Sequence, residues 1–267
     1  MTKQVLVTGG AQRLGAELVR GFARAGWKVW CHYQRSRGQA LALQVELHAG
    51  GMVIELVQAE LSDSSAIEAM MSQIFQASGA LNVVVNNASM FEPDEGLDFS
   101  PEAARMQMDV NLIAPMLLGK LLARQQSEQT AGGTHMAADA CVIHVLDQKV
   151  FNLNPDYFSY TLSKLALEQA VALQAQALAP AVRVCGVAPG LMYLSGPQQK
   201  ENFELASKIN LRRQATDPLD VAKSCVFLAE TPSITGATLS VDNGQHLVPL
   251  SRDVMFVVDE WIKKKSS

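Results

Sequence analysis

The sequence predicts an α/β protein with a Rossmann-type, doubly wound sheet of about seven parallel strands and helices on both faces. Seven short, continuously apolar runs rich in Val and Ile alternate with longer stretches of helical period. Such runs are typical of strands that are buried on both faces. Alternating strands and helices build a parallel sheet covered by helices, and a glycine-rich turn directly after the first run supports the same class.

Each element follows from local signals. The predicted strands are 4–9, 27–33, 51–58, 81–87, 140–146, 182–188 and 238–242. The predicted helices are 14–25, 38–49, 63–78, 101–127, 158–179 and 217–229. Asp63 (or Ser62), Ser100 and Asp217 suit helix N-caps, and the last two precede a proline that suits the first helical turn. Because no linker or repeat divides the chain, residues 1–267 are expected to form a single domain.

Two irregular stretches and a tail lie outside these elements. The stretches, 88–100 and 189–200, follow strands at the carboxyl edge of the sheet, where doubly wound folds bind ligands. The tail, 248–267, is apolar enough to bury part of itself, so we expect it to dock on its own or a neighbouring subunit. Arg252 within it is interpreted as a surface residue rather than one that reaches a neighbour's active site.

Composition and charge argue against several functional classes. The net charge is −4 and the one basic run, 263–265, lies at the C-terminus, so we expect no nucleic-acid partner. The four cysteines show no metal-ligand spacing, so no metal is expected. No apolar stretch approaches the roughly 18 residues of a membrane span, and the first strand begins near the N-terminus. We therefore expect a cytoplasmic protein without membrane contact.

The turn after the first strand predicts a nucleotide site. Residues 8–15 read TGGAQRLG, with Gly9 and Gly10 followed by Gly15. Glycines let the backbone approach a pyrophosphate, and the following helix N-terminus supplies N–H donors. The spacing differs from GxGxxG, and a tight turn between strand and helix also needs glycine for structural reasons. Its position after the first strand favours the nucleotide site.

Basic residues near this turn favour NADP(H) over NAD(H). An NAD site would place an acidic residue after the second strand, but that segment is HYQRS, residues 32–36. Arg13, Arg35 and Ser36 suit a 2′-phosphate instead, because a guanidinium binds phosphate through two hydrogen bonds. The alternative is that both arginines are ordinary surface residues.

Tyr160 and Lys164 form a candidate acid–base pair. They are four residues apart on a predicted helix and so share one face. The lysine ammonium and an oxidised nicotinamide would both lower the pKa of the phenol from about 10 toward the working pH. That would suit proton donation coupled to hydride transfer. The alternative is a chance surface pair.

Asp147 predicts the kind of bond that is reduced. A carbonyl oxygen gains negative charge as hydride adds, and a hydroxyl at this position would stabilise it, whereas a carboxylate would repel it. A carboxylate suits a substrate whose ring nitrogen gains a proton, such as a pterin C=N bond. Asp147 would orient the ring and relay a proton with Tyr160. The alternative is that Asp147 only caps the loop 148–156.

Two aromatic residues suit a flat heteroaromatic substrate. Phe91 lies in the loop after the fourth strand, and Tyr157 lies one helical turn before Tyr160. Stacking on such rings would favour a planar ligand, although a single aromatic residue in a loop often serves packing alone. The acidic segment 92–98 is expected to form a solvated rim, which disfavours a polyanionic acyl carrier as the substrate.

The chain resembles the short-chain dehydrogenase/reductases, and within them it is most similar to pteridine and dihydromonapterin reductases. The segments that carry the resemblance are TGGAQRLG, HYQRS, NNASMF at 86–91, Asn111 in MDVNLIAP, VLD at 145–147, DYFSYTLSK at 156–164, APG at 188–190 and ITGATLSVDNG at 234–244. They cover nearly the whole chain in the family's order. Glu60 replaces the usual Asp near the adenine, Met192 replaces a hydroxyl residue, and Asn243 interrupts the usual Asp-Gly-Gly.

The resemblance implies a role for each matching position. The implied catalytic residues are Asp147, Tyr160, Lys164 and, through a water-linked proton path, Asn111. The implied cofactor-binding residues are Gly9, Gln12, Arg13, Leu14, Tyr33, Arg35, Ser36, Glu60, Leu61, Asn87, Ala88, Ser89, Tyr160, Lys164, Pro189 and Gly190. The implied substrate-binding residues are Ser89, Phe91, Asp147, Tyr157 and Tyr160. Phe91 would sandwich the pterin against the nicotinamide.

The expected function is NADPH-dependent reduction of a dihydropterin, most favourably dihydromonapterin, with dihydrobiopterin or dihydrofolate as other candidates. The resemblance also implies a homotetramer. Two other functions stay open on the sequence. A carbonyl reductase, such as a 3-oxoacyl reductase, is disfavoured by Asp147. A redox sensor that binds NADP(H) without turnover would have no need of an intact Tyr160–Lys164 pair.

Overall fold

The protein is described by a computed structural model that covers residues 2–131, 140–196 and 198–266, with the backbone alone for residues 265 and 266. Seven strands form the sheet. They are β1 (Gln4–Val7), β2 (Lys28–Tyr33), β3 (Ile54–Gln58), β4 (Val83–Asn86), β5 (Cys141–Val145), β6 (Arg183–Pro189) and β7 (Thr238–Val241). All pairs are parallel, in the order β3-β2-β1-β4-β5-β6-β7. The predicted fold class is confirmed.

Helices connect the strands and cover both faces. They are α1 (Arg13–Arg24), α2 (Arg37–Ala49), α3 (Ser64–Ser78), α4 (Pro101–Met108), α5 (Ala114–Ala131), α6 (Phe158–Leu178), α7 (Lys200–Ala206), α8 (Pro218–Glu230) and α9 (Val254–Ser266). Short 3₁₀ turns occupy Gln148–Val150 and Gln245–Leu247. Asp63, Ser100 and Asp217 accept hydrogen bonds from the first helical turns of α3, α4 and α8, as their side chains predict.

Three features differ from the prediction. The helix predicted over 101–127 is interrupted by a π-helical turn, Asp109–Ile113, that joins α4 to α5. Helices α7 and α9 were not predicted as helices. Their apolar faces are short and pack largely on each other, with Ala206 against Val254 and Val258, so neither helix shows a long periodic pattern of its own.

Two large hydrophobic clusters hold the helices against the two faces of the sheet. One lies between the sheet and helices α1, α2 and α8, where Phe22 and Leu228 are fully buried. The other lies between the opposite face and helices α3, α5 and α6, where Ile74 and Leu118 are fully buried. This packing holds the carboxyl ends of β1, β4, β5 and β6 in place along one edge. Among the described residues, no helix is both long enough and apolar enough to cross a membrane.

Candidate active site

The turn between β1 and α1 is tightly held against its neighbours. The Gly9 N–H donates to Nδ1 of His32 at 3.1 Å, and Asn87 Nδ2 donates to the Thr8 carbonyl at 2.9 Å. A Cβ on Gly15 would lie 1.9 Å from the Gly9 carbonyl oxygen, so only glycine fits at that position. The turn is therefore preformed at the point where a pyrophosphate would meet the N-terminus of α1.

A cleft of about 750 Å³ runs along the carboxyl edge from this turn. Its walls include most of the predicted cofactor residues: Gly9, Gln12, Arg13, Leu14, Tyr33, Arg35, Ser36, Glu60, Leu61, Asn87, Ala88, Ser89 and Tyr160. Lys164 and Pro189 are not part of its wall, and Gly190 lines a smaller neighbouring pocket. The cleft is large enough for a nucleotide cofactor, since ligand pockets usually span about 300–1,000 Å³.

The two arginines predicted to share one phosphate have different surroundings. Arg13 donates from Nη2 to the Leu194 carbonyl at 2.8 Å and lies 5.1 Å from the centre of the Tyr193 ring. Its backbone has a φ of 51°, an uncommon conformation for a non-glycine residue. Arg35 is exposed at the other end of the same cleft wall, beside Glu60. The cleft thus contains both guanidinium groups, but Arg13 is bound to the loop that follows β6.

Glu60 is held as a carboxylate at this end of the cleft. Partial burial would raise the pKa of Glu60, but hydrogen bonds from Ser62 and Gln34 and the nearby Arg35 guanidinium together hold it below its usual value. A carboxylate here could accept from the exocyclic amine of an adenine. The same carboxylate would repel a phosphate if Arg35 did not lie beside it.

Asp147 and Tyr160 form a hydrogen-bonded pair at the edge of the cleft, whose wall Tyr160 lines. Asp147 follows β5 and caps the 3₁₀ turn, with Oδ1 accepting from the Lys149 N–H at 2.8 Å. Tyr160, in the first turn of α6, donates from its hydroxyl to Asp147 Oδ2 at 2.9 Å. Both carboxylate oxygens are therefore engaged, so the orientation of Asp147 is fixed by the protein itself. Asp147 caps this turn as the alternative interpretation supposed, but it also contacts the candidate acid.

The surroundings of Tyr160 set its protonation state. Burial, followed by the nearby Asp147 carboxylate, raises the pKa of Tyr160 well above its ordinary value. Burial also raises the pKa of Asp147. The expected lowering of the Tyr160 pKa by the Lys164 ammonium and an oxidised nicotinamide stays a prediction for the cofactor-bound enzyme, since burial and the carboxylate dominate here. Tyr160 therefore keeps its proton and is poised as a donor.

Lys164 and Asn111 support this pair from α6 and the π-helical turn. Lys164 donates from Nζ to the Val145 carbonyl at 2.8 Å, and burial lowers its pKa to about 8. Asn111 is fully buried and donates to Ser163 Oγ at 3.0 Å, and Ser163 donates to the Tyr160 carbonyl. The π-helical turn projects Asn111 inward, as such turns often do at functional sites.

An aromatic cluster borders the pair. Phe91 stacks on Tyr157 with ring centres 4.1 Å apart and meets Tyr160 edge to face at 4.6 Å. Tyr157 precedes α6 with a φ of 53°, a conformation that costs energy for a residue with a side chain. Phe256 of α9 lies 6.1 Å beyond Tyr157. Stacking on Tyr157 covers one face of Phe91.

A smaller pocket of about 170 Å³ adjoins the cleft. It contains predicted residues Asp147, Tyr157 and Gly190, and shares Phe91 and Arg13 with the cleft. Its wall also includes Met192, a departure from the family pattern, and Gln148, Lys149, Gln245, Asp253 and Met255, for which the sequence indicated no role. Gln148, Lys149 and Gln245 lie within two residues of the recognised motifs, whereas Asp253 and Met255 lie well beyond the last one. One available signal was missed: Asp253 before an apolar run is a helix-cap pattern, and its Oδ1 accepts from the Met255 N–H.

Two charged segments near the site have partners that the sequence did not indicate. Arg252 is a partly exposed surface residue, but it is not free in solvent: Nε donates to both oxygens of the buried Asp156 carboxylate of the same chain in a bifurcated contact, and Nη2 donates to Oδ1. The segment 92–98 is not wholly a solvated rim either. Asp94 within it is half-buried and accepts from the Ser159 N–H at the start of α6. Each carboxylate anchors structure next to the candidate site.

The chain is similar to proteins of a known family. A family model described as enoyl-(acyl carrier protein) reductase matches residues 9–246. The chain belongs to this family of short-chain dehydrogenase/reductases. The dihydromonapterin reductase of Escherichia coli strain K12 is 26% identical over 243 residues, covering 91% of this chain and 96% of the relative.

Two solved structures of this reductase family are also similar to the chain. One is FolM alternative dihydrofolate reductase 1 from Brucella canis complexed with NADP, with 34% identity, a TM-score of 0.84, and coverage of 92% and 94% of the two chains. The other is the FolM protein from Brucella suis, also in complex with NADP, with the same identity and TM-score and coverage of 92% and 95%.

Proposed function

We propose that the chain is an NADPH-dependent reductase that converts a dihydropterin to its tetrahydro form by reducing a C=N bond. The observation that carries this proposal is the hydrogen bond between Tyr160 and Asp147 beside the cofactor cleft. Dihydromonapterin is the favoured substrate, and dihydrobiopterin and dihydrofolate are the other candidates. The name of the Escherichia coli relative and the titles of the Brucella structures support pterin or folate chemistry.

The cleft suits NADPH along its whole length. Arg35 and Ser36 would hold the 2′-phosphate at one end, and the turn at Gly9 would hold the pyrophosphate. Tyr160 and Phe91 mark the other end, where the nicotinamide would lie. When bound, NADPH supplies the hydride that a substrate ring carbon receives.

The chain's own side chains would orient the pterin and supply its proton. Phe91, which lines both the cleft and the smaller pocket, would contact the planar ring through the face that does not stack on Tyr157. Asp147 would accept hydrogen bonds from the amidine-like N–H groups of the ring, and Tyr160 would donate its proton to the ring nitrogen. Lys164, fixed on the Val145 carbonyl, would stabilise the phenolate that remains. Asn111 would keep the first turns of α6 in place through Ser163.

The same geometry disfavours a 3-oxoacyl substrate. A carbonyl oxygen that approached the Tyr160 hydroxyl would lie close to Asp147 Oδ2, which is already 2.9 Å from that hydroxyl. Because the oxygen becomes negative as hydride adds, the carboxylate would oppose the transition state. A sensor without turnover is also disfavoured, since the donor pair, its lysine and its supporting amide are all in place.

Two further proposals accompany the function. We propose a cytoplasmic location, and we propose that the chain assembles as a homotetramer, as its resemblance to the family implies. Size-exclusion chromatography with light scattering would test the assembly, and a monomer at micromolar concentration would contradict it.

NADPH oxidation by the purified protein tests the proposed function. Dihydromonapterin, dihydrobiopterin, dihydrofolate and a 3-oxoacyl thioester would be compared, together with Tyr160→Phe and Asp147→Ser. We expect turnover with a pterin, and a loss of about 10²–10⁴-fold in Tyr160→Phe, the usual contribution of a general acid. Turnover with the oxoacyl substrate alone, unchanged or faster in Asp147→Ser, would support the carbonyl reductase. Cofactor binding without any turnover, and no effect of Tyr160→Phe, would support the sensor.

A further inference from the structure

A buried ammonium lies directly beneath the turn that carries Asp147. The Lys149 side chain is only 3% exposed, and its Nζ has three acceptors for its three protons. They are Asn154 Oδ1 at 3.0 Å, the Asp156 carbonyl at 3.0 Å and Asp253 Oδ2 at 3.1 Å. A buried charge is costly unless it is paired and fully hydrogen-bonded, and Lys149 meets both conditions.

The partner carboxylate comes from the C-terminal tail, about a hundred residues further along the chain. Asp253 caps α9, and its own N–H donates to the Asp156 carboxylate at 2.6 Å. Arg252 pairs with that same carboxylate. Two adjacent tail residues therefore attach to the loop 149–156 through one buried anion and one buried cation, which fixes the tail on the loop next to the site.

This hydrogen-bond network is directly connected to the candidate catalytic pair, Asp147 and Tyr160. The Lys149 N–H donates to Asp147 Oδ1, while its side chain extends to Asp253. Asp147, Lys149 and Asp253 all line the smaller pocket. A shift of Asp253 would therefore move the turn at Lys149, and with it the carboxylate that accepts from Tyr160.

We infer that Lys149 and Asp253 are positioning residues for Asp147, so that the C-terminal tail helps to set the alignment and charge of the catalytic pair. This inference rests on the proposed reductase function, because it assigns these residues a part in the same proton transfer. Neither residue needs to touch the substrate. Lys149 acts through its backbone and charge, and Asp253 acts through Lys149 and its own charge.

Lys149 and Asp253 carry opposite charges, so removing one or the other should shift the pKa of Asp147 in opposite directions. The charged groups that act on Asp147 are Tyr160 and Lys164 from α6, Lys149 from the 3₁₀ turn and Asp253 from the tail. Against the dominant effect of burial, Lys149 lowers the pKa of Asp147 and Asp253 raises it. Removing the ammonium should therefore raise that pKa, and removing the tail carboxylate should lower it.

The experiment compares Lys149→Met, Asp253→Asn and the double variant with the wild type in pH profiles of kcat for pterin reduction. The limb governed by Asp147 should move up by about one pH unit in Lys149→Met and down in Asp253→Asn, the size expected for loss of one nearby charge. The double variant should lie between them. Lys200→Met and Asp220→Asn, which alter exposed ion pairs, are the matched controls and should leave the profile unchanged.

A second readout does not depend on turnover. The Asp147 carboxyl would be titrated by ¹³C NMR in the full chain and assigned with Asp147→Asn. Opposite shifts in the two single variants support the inference, whereas no shift or shifts of the same sign would overturn it, even if both variants are slower. If the wild type reduces no pterin, the proposed function fails and the NMR titration still decides whether the tail sets the charge of Asp147. If Lys149→Met does not fold, Asp253→Asn alone decides by the sign of its shift.

Discussion

Cofactor selectivity should depend on Arg35 far more than on Arg13. Arg35 is exposed at the end of the cleft beside Ser36 and Glu60, where a 2′-phosphate would lie. Arg13 instead donates to the Leu194 carbonyl and packs on Tyr193. Replacing Arg35 by Ala should therefore weaken NADPH binding and leave NADH binding nearly unchanged. Replacing Arg13 by Ala should weaken both cofactors to a similar extent.

The size of the Arg35 effect follows from the contacts that are lost. A hydrogen bond to a charged group contributes about 1.5–3 kcal/mol, and each 1.4 kcal/mol is tenfold in affinity, so the loss is about 10–150-fold. Two effects modify this range. Arg35 is exposed, so salt screens part of its attraction. Its removal also leaves the Glu60 carboxylate facing the phosphate without compensation, which adds repulsion. We expect about tenfold at physiological ionic strength and more at low salt.

Fluorescence titration with NADPH and NADH measures both affinities directly. Dissociation constants would be determined for the wild type, Arg35→Ala and Arg13→Ala at low and physiological ionic strength. The ratio of the two constants should fall toward one in Arg35→Ala alone. Equal weakening of both cofactors in Arg35→Ala, or loss of selectivity in Arg13→Ala, would show that the 2′-phosphate is recognised elsewhere in the cleft.

Two further predictions concern the nucleotide turn and the core. Gly15→Ala should abolish cofactor binding and lower the unfolding free energy by about 1–3 kcal/mol, because the added Cβ would lie 1.9 Å from the Gly9 oxygen. NADPH titration and denaturant unfolding measure the two effects. An unchanged affinity and an unchanged denaturant midpoint would contradict this prediction. Burial lowers the pKa of His144 from 6.5 to about 4, so the unfolded chain binds more protons between these values and stability is lost as pH falls through that window. Urea unfolding at pH 7 and 4.5 should show this loss of stability, which is about 3 kcal/mol at most for this group. The loss should be smaller in His144→Gln. An equal loss in the variant would refute the assignment of the effect to His144.

The fold could be predicted from the sequence because its signals are local. A strand such as β5 is buried on both faces, so its apolar run identifies it without knowledge of its neighbours. The helix caps at Asp63 and Ser100 act within a few residues. Helix α9 was missed for the opposite reason. Its stability depends on contacts with α7 and on Asp156, which the chain brings together only after folding.

The candidate site also has features that the sequence predicts and features that it does not. Tyr160 and Lys164 lie on one helix, so their spacing predicts their shared face. The effects of burial and of the Asp147 carboxylate on the tyrosine pKa could not be predicted, because both depend on the folded surroundings of the hydroxyl. The partners of Arg13 were equally hidden, since Leu194 lies 181 residues away in the sequence. The types of reactive group could therefore be predicted from the sequence. Their interactions could not, because they form only when the folded chain brings distant residues together.

The position of Asp147 gives the strongest argument for the chemistry of the site. A carboxylate that was only a loop cap would have no need to approach the acid, yet Oδ1 caps the turn while Oδ2 accepts from Tyr160. Burial raises the pKa of both groups, and the Asp147 carboxylate raises that of Tyr160 further, so Tyr160 holds its proton tightly until a basic acceptor arrives. A ring nitrogen that becomes basic as hydride adds to its neighbouring carbon is such an acceptor. A carbonyl oxygen that becomes anionic would face the same carboxylate with like charge, and the site would oppose its reduction.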